Sequence, residues 1–460
     1  MFNCVLLNAG GQFHWGFNPA SVNSTNIVRY KSKLNRNLLI VMNYILPNMK
    51  NQLKFLFIIF GLTINPSFSG PKPLKAKISD ETLRKKANEL AHKFIIVDGH
   101  VDLPYRLSGK MEDVSVQTKG GDFDYVRAKK GGLSAPFMSI YVPANLQQKK
   151  GFSKALADSL IDLVENLTKQ HPNKFALAKT PQDVERNFKK GLISFPMGLE
   201  NGSPVESNLA NLKHFYDRGI RYITLCHGED NFICDTSYDT TNTWRGLSPI
   251  GRQVVREMNR LGIMLDCSHI SDETFAQVIA LSKAPVIASH SSCRKFTPGF
   301  IRNAPDDLII KMAKKGGVIM INYSSMFLDS ASNKSYEIKR LHLKSWQKEH
   351  NLTPDSPKAK AYEDEYSKAH PTPLTTVEKV ADHIDHVKKI AGINHVGLGS
   401  DFDGVGPTLP EGLKDCSEIP NLIFVLLKRG YTEEEIEKIC NKNVFRVWNK
   451  VAEIAKIFNQ

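Results

Sequence analysis

From residue 70 onward the chain alternates short apolar runs with longer amphipathic stretches. Runs suited to strands fall at about 94–98, 136–142, 191–199, 222–226, 263–268, 285–289, 317–323 and 395–400. Helix-like patterning covers 152–169, 207–218, 249–261, 272–282, 305–315 and 375–391. Pro305-Asp-Asp is a good helix opening, because proline suits the first turn and acids suit the dipole. Thr432-Glu-Glu-Glu435 has the form of a capping box opening a C-terminal helix. Strands alternating with helices in this number predict a (β/α)8 TIM barrel. An open doubly wound sheet is the competing arrangement. No GxGxxG follows the first strand and no P-loop is present, so nucleotide binding has no support.

One stretch breaks the rhythm. Residues 328–374 are polar, rich in Lys, Glu, Ser and Pro, and helical in places. They follow the seventh strand, so they are expected as a loop insertion on the active-site side, either a lid or a solvated decoration. His383 and His386 lie one turn apart on a predicted helix. They are read as ordinary helix residues, since barrel helices lie outside the sheet.

The N-terminal region reads differently. Met49-Lys50-Asn-Gln-Leu-Lys54 precedes the apolar stretch Phe55–Ile64, and Asn65-Pro-Ser67-Phe-Ser69-Gly70 follows. A basic start, an apolar stretch and small residues before a cut form a secretory signal peptide, expected over 49–69 with cleavage near Ser69. The apolar stretch is too short to span a bilayer comfortably. The expectation is an exported protein, periplasmic or secreted, without stable membrane insertion. Residues 1–48 are expected to be an artefact of start-site choice and not part of the native protein. That leaves 70–460 as a single barrel domain carrying the insertion at about 328–374.

Composition adds little to this picture. The 460 residues, 41% hydrophobic and 23% charged, suit a soluble globular protein that can bury a full barrel core. The formal net charge is +14, but residues 1–69 hold six Lys/Arg and no acid, leaving 55 basic against 47 acidic residues beyond them. No dense basic stripe with interleaved aromatics occurs, so nucleic acid is not an expected partner. None of the seven cysteines forms a CxxC pair, which argues against a cysteine zinc site. Cys226 and Cys234 are near enough in sequence to pair in an oxidising compartment; isolated buried thiols are the plainer reading.

The chemistry sits where the apolar runs end. His100, Asp102, Glu200, His269, His290 and Asp401 each stand at or just beyond the C-terminal end of a run. A parallel barrel gathers such tips at one mouth. Imidazoles and carboxylates together there are the ligand set for zinc or a similar divalent ion. His100 and Asp102 alternate across Val101, so both can face one ion. Glu200 closes a strongly apolar run, where an unpaired carboxylate is costly. Five ligands exceed the four of a structural zinc; with Glu200 bridging, they suit two ions.

Ten segments resemble, in order, the renal (membrane) dipeptidases, zinc metallopeptidases of the amidohydrolase type. They are Asp98-Gly-His-Val-Asp102, Gly132-Leu-Ser-Ala-Pro-Phe-Met-Ser-Ile-Tyr-Val-Pro143, Gly198-Leu-Glu200, Arg221-Tyr-Ile-Thr-Leu-Cys-His227 and Gly246-Leu-Ser-Pro-Ile-Gly251. Then come Glu257-Met-Asn-Arg-Leu-Gly262, Asp266-Cys-Ser-His269, Ser289-His-Ser-Ser292, Arg302-Asn-Ala-Pro-Asp-Asp307 and Gly399-Ser-Asp-Phe-Asp-Gly404. The resemblance spans roughly 94–450. It implies a dipeptidase with two Zn2+ ions and a hydroxide bridging them, one ion on His100, Asp102 and Glu200, the other on Glu200, His269 and His290. It also implies that His227 steadies the oxyanion, that Arg302 takes the free carboxylate of the dipeptide, and that Asp401 is the acid/base group. Arg294 and Lys295 are the alternative cations for that carboxylate.

The stretch Gly228–Tyr238 departs from the mammalian enzymes and is similar to bacterial relatives. The resemblance is compatible with a homodimer. Two rival functions remain. A binuclear amidohydrolase acting on another amide or lactam would more often open with His-x-His and use a modified lysine bridge. A catalytically silent metal-binding protein would have lost ligand or acid/base residues. Asp102, Glu200 and the complete set favour the dipeptidase.

Overall fold

Eight of the ten strands run parallel and close on themselves. Their ranges are β1 (Ile96–Val101), β2 (Leu133–Tyr141), β3 (Phe175–Leu177), β4 (Ile193–Phe195), β5 (Met197–Glu200), β6 (Ile220–Thr224), β7 (Met264–Asp266), β8 (Ile287–Ala288), β9 (Val318–Ile321) and β10 (Val396–Leu398). Around the barrel the order is β1, β2, β5, β6, β7, β8, β9, β10 and back to β1, while β3 and β4 pair apart. The computed structural model describes residues 78–353 and 356–460. The expected signal segment 49–69 and residues 1–48 lie outside them.

Each predicted strand run supplies one barrel strand, with one division. The run 191–199 breaks at Pro196, whose ring leaves no backbone donor for a ladder. Residues before it form β4 against β3, and residues after it form β5 in the barrel. The Pro196 carbonyl still accepts from Met138 N at 2.8 Å. Pattern reading alone joins these pieces because both are apolar.

The outer helices begin and end on ordinary chemistry. Ser248 accepts from Gly251 N ahead of the helix Pro249–Leu261, and Gly262 closes it in the left-handed region at φ 84°. Thr432 and Glu435 form the expected capping box. Helices at Asp80–Lys93, Pro181–Lys189, Ile419–Lys428 and Asn443–Phe458 complete the shell. The last seals the floor of the barrel, with Trp448 buried against Phe137 at 5.2 Å between ring centroids. The strand tips open at the opposite, C-terminal rim.

The insertion follows β9 on that rim. Its helices, Ser330–Glu349 and Pro357–Ala369, are joined by stacked rings: Trp346 on Tyr362 at 3.9 Å and His342 on Tyr366 at 4.1 Å. His383 and His386, on the helix Val377–Ile390, form no metal-competent group among the described residues. They are not on a free outer face, however. His383 is fully buried: its Nδ1 accepts from Cys293 N at 3.0 Å, and its Nε2–H donates to Leu328 O at 3.1 Å. His386 pairs with Asp306 at 2.8 Å.

Cys226 and Cys234 are both buried free thiols, as are the other described cysteines. Among the described residues, no helix is long and apolar enough to cross a membrane.

Candidate active site

Every strand tip at the rim carries a polar or aromatic residue that faces the mouth. His100 lies in β1 and Asp102 directly after it; Glu200 ends β5. His227, His269, His290 and Asp401 follow β6, β7, β8 and β10 within three residues. All seven are buried except His227, which is about one-quarter exposed.

Glu200 is the hub. Its Oε2 lies 3.2 Å from His100 Nε2, and its Oε1 lies 3.1 Å from His269 Nε2, 3.4 Å from His290 Nε2 and 3.7 Å from His227 Nε2. Asp102 Oδ2 is 3.5 Å from His100 Nε2. Ser139, on β2, donates to Glu200 Oε2 at 3.1 Å and fixes the carboxylate from below.

Hydrogen bonds behind the histidines set which nitrogen faces the site. Tyr222 OH donates to Gly99 O at 3.1 Å, so it accepts from His100 Nδ1–H at 2.8 Å. Ser289 Oγ donates to Asp266 Oδ2 at 2.6 Å and accepts from His290 Nδ1–H at 2.7 Å. Both rings therefore present a bare Nε2 to the cluster. His100 Nε2 and Asp102 Oδ1 are buried with no hydrogen-bond partner. The Nε2 atoms of His269 and His290 stand only 2.8 Å apart. Orphaned lone pairs converging in a dry pocket are costly unless a cation meets them.

Charge tells the same story. Against the penalty of burial, Tyr222, Glu200 and Asp102 raise the pKa of His100 well above the ordinary histidine range. Burial, with His100 and Arg302 nearby, pushes His290 well below it. His269 is pushed down by burial and by Arg302 and His227. Glu200, despite burial, is held well below the carboxylate range by His100 and its histidine hydrogen bonds. The buried carboxylates thus draw positive charge toward His100 Nε2, a role that divalent ions fit. His100, Asp102, Glu200, His269 and His290 would hold them.

Three more groups flank the cluster. Asp401 is buried, its Oδ2 accepts from Asn322 Nδ2 at 2.7 Å, and burial pushes its pKa up to about 8, with Asp102 and Glu200 adding to the rise. Arg302 is 4% exposed and donates to Ser291 Oγ at 2.7 Å and His290 O at 2.9 Å. Its Nε has no partner, and no carboxylate ion-pairs with it among the described residues. Arg294, by contrast, is committed to Asp272 through bonds of 2.6 and 2.7 Å. Lys295 turns toward His386. His227 stands edge-on to Tyr141 at 4.8 Å, and burial lowers its pKa, which keeps the ring neutral.

Backbone strain collects at the same rim. His269 and Asp401 are held in the left-handed region at φ 69° and 65°. Such conformations cost about 1–3 kcal/mol each and persist where surrounding bonds impose them. Here Ser237 N donates to His269 O at 2.7 Å and Asp401 N to His100 O at 3.1 Å.

The residues expected from the sequence all meet in this one place. Tyr222, Ser289, Asp266, Asn322 and Tyr141 were not among them. Asn322 and Tyr141 sit at the tips of β9 and β2, the two strands left without a site residue. The rule that barrel tips face one mouth is the signal that could have found them.

A family model described as membrane dipeptidase (peptidase family M19) matches residues 84–460. An uncharacterised dipeptidase of Schizosaccharomyces pombe is 32% identical over 388 residues, spanning 81% of this chain and 85% of that protein. Among solved structures, the probable dipeptidase PvdM from Pseudomonas aeruginosa superposes with a TM-score of 0.71 at 26% identity, covering 81% of this chain and 99% of that one. A metallopeptidase from Rhodobacter sphaeroides, liganded with a phosphinate mimic of the dipeptide L-Ala-D-Ala, gives a TM-score of 0.64 at 24% identity, covering 78% and 99%, and shares the fold.

Proposed function

The chain belongs to the membrane dipeptidase family of metallopeptidases, and from that premise we propose a two-zinc enzyme that hydrolyses the peptide bond of free dipeptides. The observation that carries this reading is the Glu200 carboxylate set within 3.1–3.7 Å of four imidazole nitrogens. When bound, such ions polarise the scissile carbonyl and lower the pKa of a water.

The chain's own residues do the rest. Arg302, with an unpartnered Nε and no carboxylate of its own, receives the free carboxylate of the dipeptide. That contact fixes how deep the substrate sits. His227, neutral and partly exposed above Glu200, donates to the oxygen on which charge develops. Asp401 takes the proton of the attacking water on Oδ1, because Oδ2 is occupied by Asn322, and returns it to the leaving amine. Tyr141 and Tyr105, edge to face at 4.8 Å, wall one side of the mouth.

The test is hydrolysis of a dipeptide panel by purified protein, before and after chelation and with Zn2+ restored. Activity that chelator removes and Zn2+ returns is the expected result. Failure of the zinc-loaded protein to cut any dipeptide overturns the proposal. Export after cleavage near Ser69 is the accompanying proposal, supported by the Met49–Gly70 pattern. N-terminal sequencing of the native protein checks it, and a mature start well upstream of Gly70 contradicts it.

A further inference from the structure

The donor atoms of the cluster divide into two unlike ends. His100, Asp102 and Asp401 offer ligand atoms within 4.8 Å of one another, so do Glu200, His227 and His269, and a third group of His100, Glu200 and His290 joins the two. Glu200 reaches both. The first end therefore has one further carboxylate ligand, Asp102, beside the imidazole of His100, with Asp401 next to it. The second is built of imidazoles around one shared carboxylate, with His290 joining His269 at 2.8 Å.

Two independent features widen the difference. Arg302 is hydrogen-bonded to the backbone oxygen of His290 and to Ser291, so a fixed cation stands beside the imidazole end. The rings are also held differently. His100 is pinned by Tyr222, a fully buried residue whose hydroxyl is itself fixed on Gly99 O. His269 has no such anchor: its Nδ1 is buried without a partner. A ligand already oriented loses less freedom on binding, and outer hydrogen bonds raise its basicity.

We propose that the two ends bind divalent ions unequally and in order, the His100–Asp102 end first and tightly, the His269–His290 end second and weakly, with Tyr222 the positioning residue of the tight end. This rests on the two-ion reading above. Charge decides the order: for a doubly charged ion, an extra carboxylate at contact outweighs an exchange of one neutral donor for another. Ser289 and Asp266 support His290, but they act at the end where Arg302 opposes the ion.

The test is a titration of metal-free protein with Zn2+ against a competing chelator, with ions per chain counted by native mass spectrometry. Two binding steps at least about tenfold apart are expected. Asp102→Asn should remove the tight step, and His269→Asn the weak one only. Tyr222→Phe, which deletes one oxygen from a buried ring, should weaken the tight step by about 10–100-fold. Ser289→Ala should weaken only the second step. Two steps of equal affinity in the parent protein, or loss of the weak step in Tyr222→Phe, overturn the proposal. A chain that takes up one ion or none, whatever the variant, instead removes the two-ion reading beneath it.

Discussion

Asn322 donates its amide to Asp401 Oδ2 at 2.7 Å, leaving Oδ1 as the oxygen free to exchange a proton. The contact joins the tip of β9 to the loop after β10, and it fixes a carboxylate that burial, with Asp102 and Glu200 nearby, drives toward the neutral form. Asp401→Asn keeps the shape and removes the proton-accepting oxygen. It should retain bound metal while kcat falls by roughly 10²–10⁴-fold. Metal analysis beside steady-state kinetics checks this, and an unchanged kcat reassigns the proton shuttle. Asn322→Ala removes one hydrogen bond of about 1 kcal/mol, so a smaller loss of roughly five- to tenfold is expected.

Arg302 is a buried guanidinium waiting for an anion. Arg302→Met should raise KM far more than it lowers kcat. Losing one side of a buried charge pair costs about 2–5 kcal/mol, or roughly 30- to several thousand-fold. A matched pair of substrates gives the second check: the parent enzyme should cut a free dipeptide much faster than its C-terminal amide. Equal rates on the two would show that Arg302 meets something else.

The barrel was legible because each strand is a short apolar run buried on both faces, a pattern that survives without knowledge of contacts. The ligands were legible because each punctuates such a run. What stayed hidden was of another kind. Pro196 divides one apolar run between two sheets, a choice made by neighbouring strands. Tyr222 and Ser289 lie inside apolar or small-residue stretches, and their roles come from partners 122 residues away and one residue away respectively. Their hydroxyls carry no periodic signature. Arg294 and Arg302 looked alike in sequence; only Asp272, brought in by a separate helix, takes Arg294 out of contention.

Gly404 marks how little room the rim allows. A Cβ at this position would lie 2.1 Å from Asp102 Oδ2 and 2.5 Å from Asp401 Oδ1. Neither oxygen can yield freely, since one faces His100 and the other belongs to a residue tied to Asn322. Gly404→Ala, one methyl outside the donor set, should therefore lower both metal content and kcat with little change in overall fold. Circular dichroism and metal analysis separate these effects. Full metal occupancy and parental kcat in Gly404→Ala would mean that the loop shifts without cost.

His383 offers a pH prediction away from the metal cluster. Its ring bridges Cys293 N and Leu328 O, and burial lowers its pKa to about 3 from an ordinary 6.5. The unfolded chain therefore binds this proton at a higher pH, near 6.5, than the folded one. The stability His383 contributes is fully present above pH 6.5 and is lost as pH falls toward 3, at up to about 1.4 kcal/mol per unit. Protonation would also set an N–H against the Cys293 amide, which already points its own hydrogen at that nitrogen. Gln in this place cannot titrate. Denaturant unfolding of chelator-stripped protein between pH 6.5 and 4 should show a slope shallower by about one proton in His383→Gln. Parallel slopes for the two proteins would mean that His383 is solvated or charged in the folded chain.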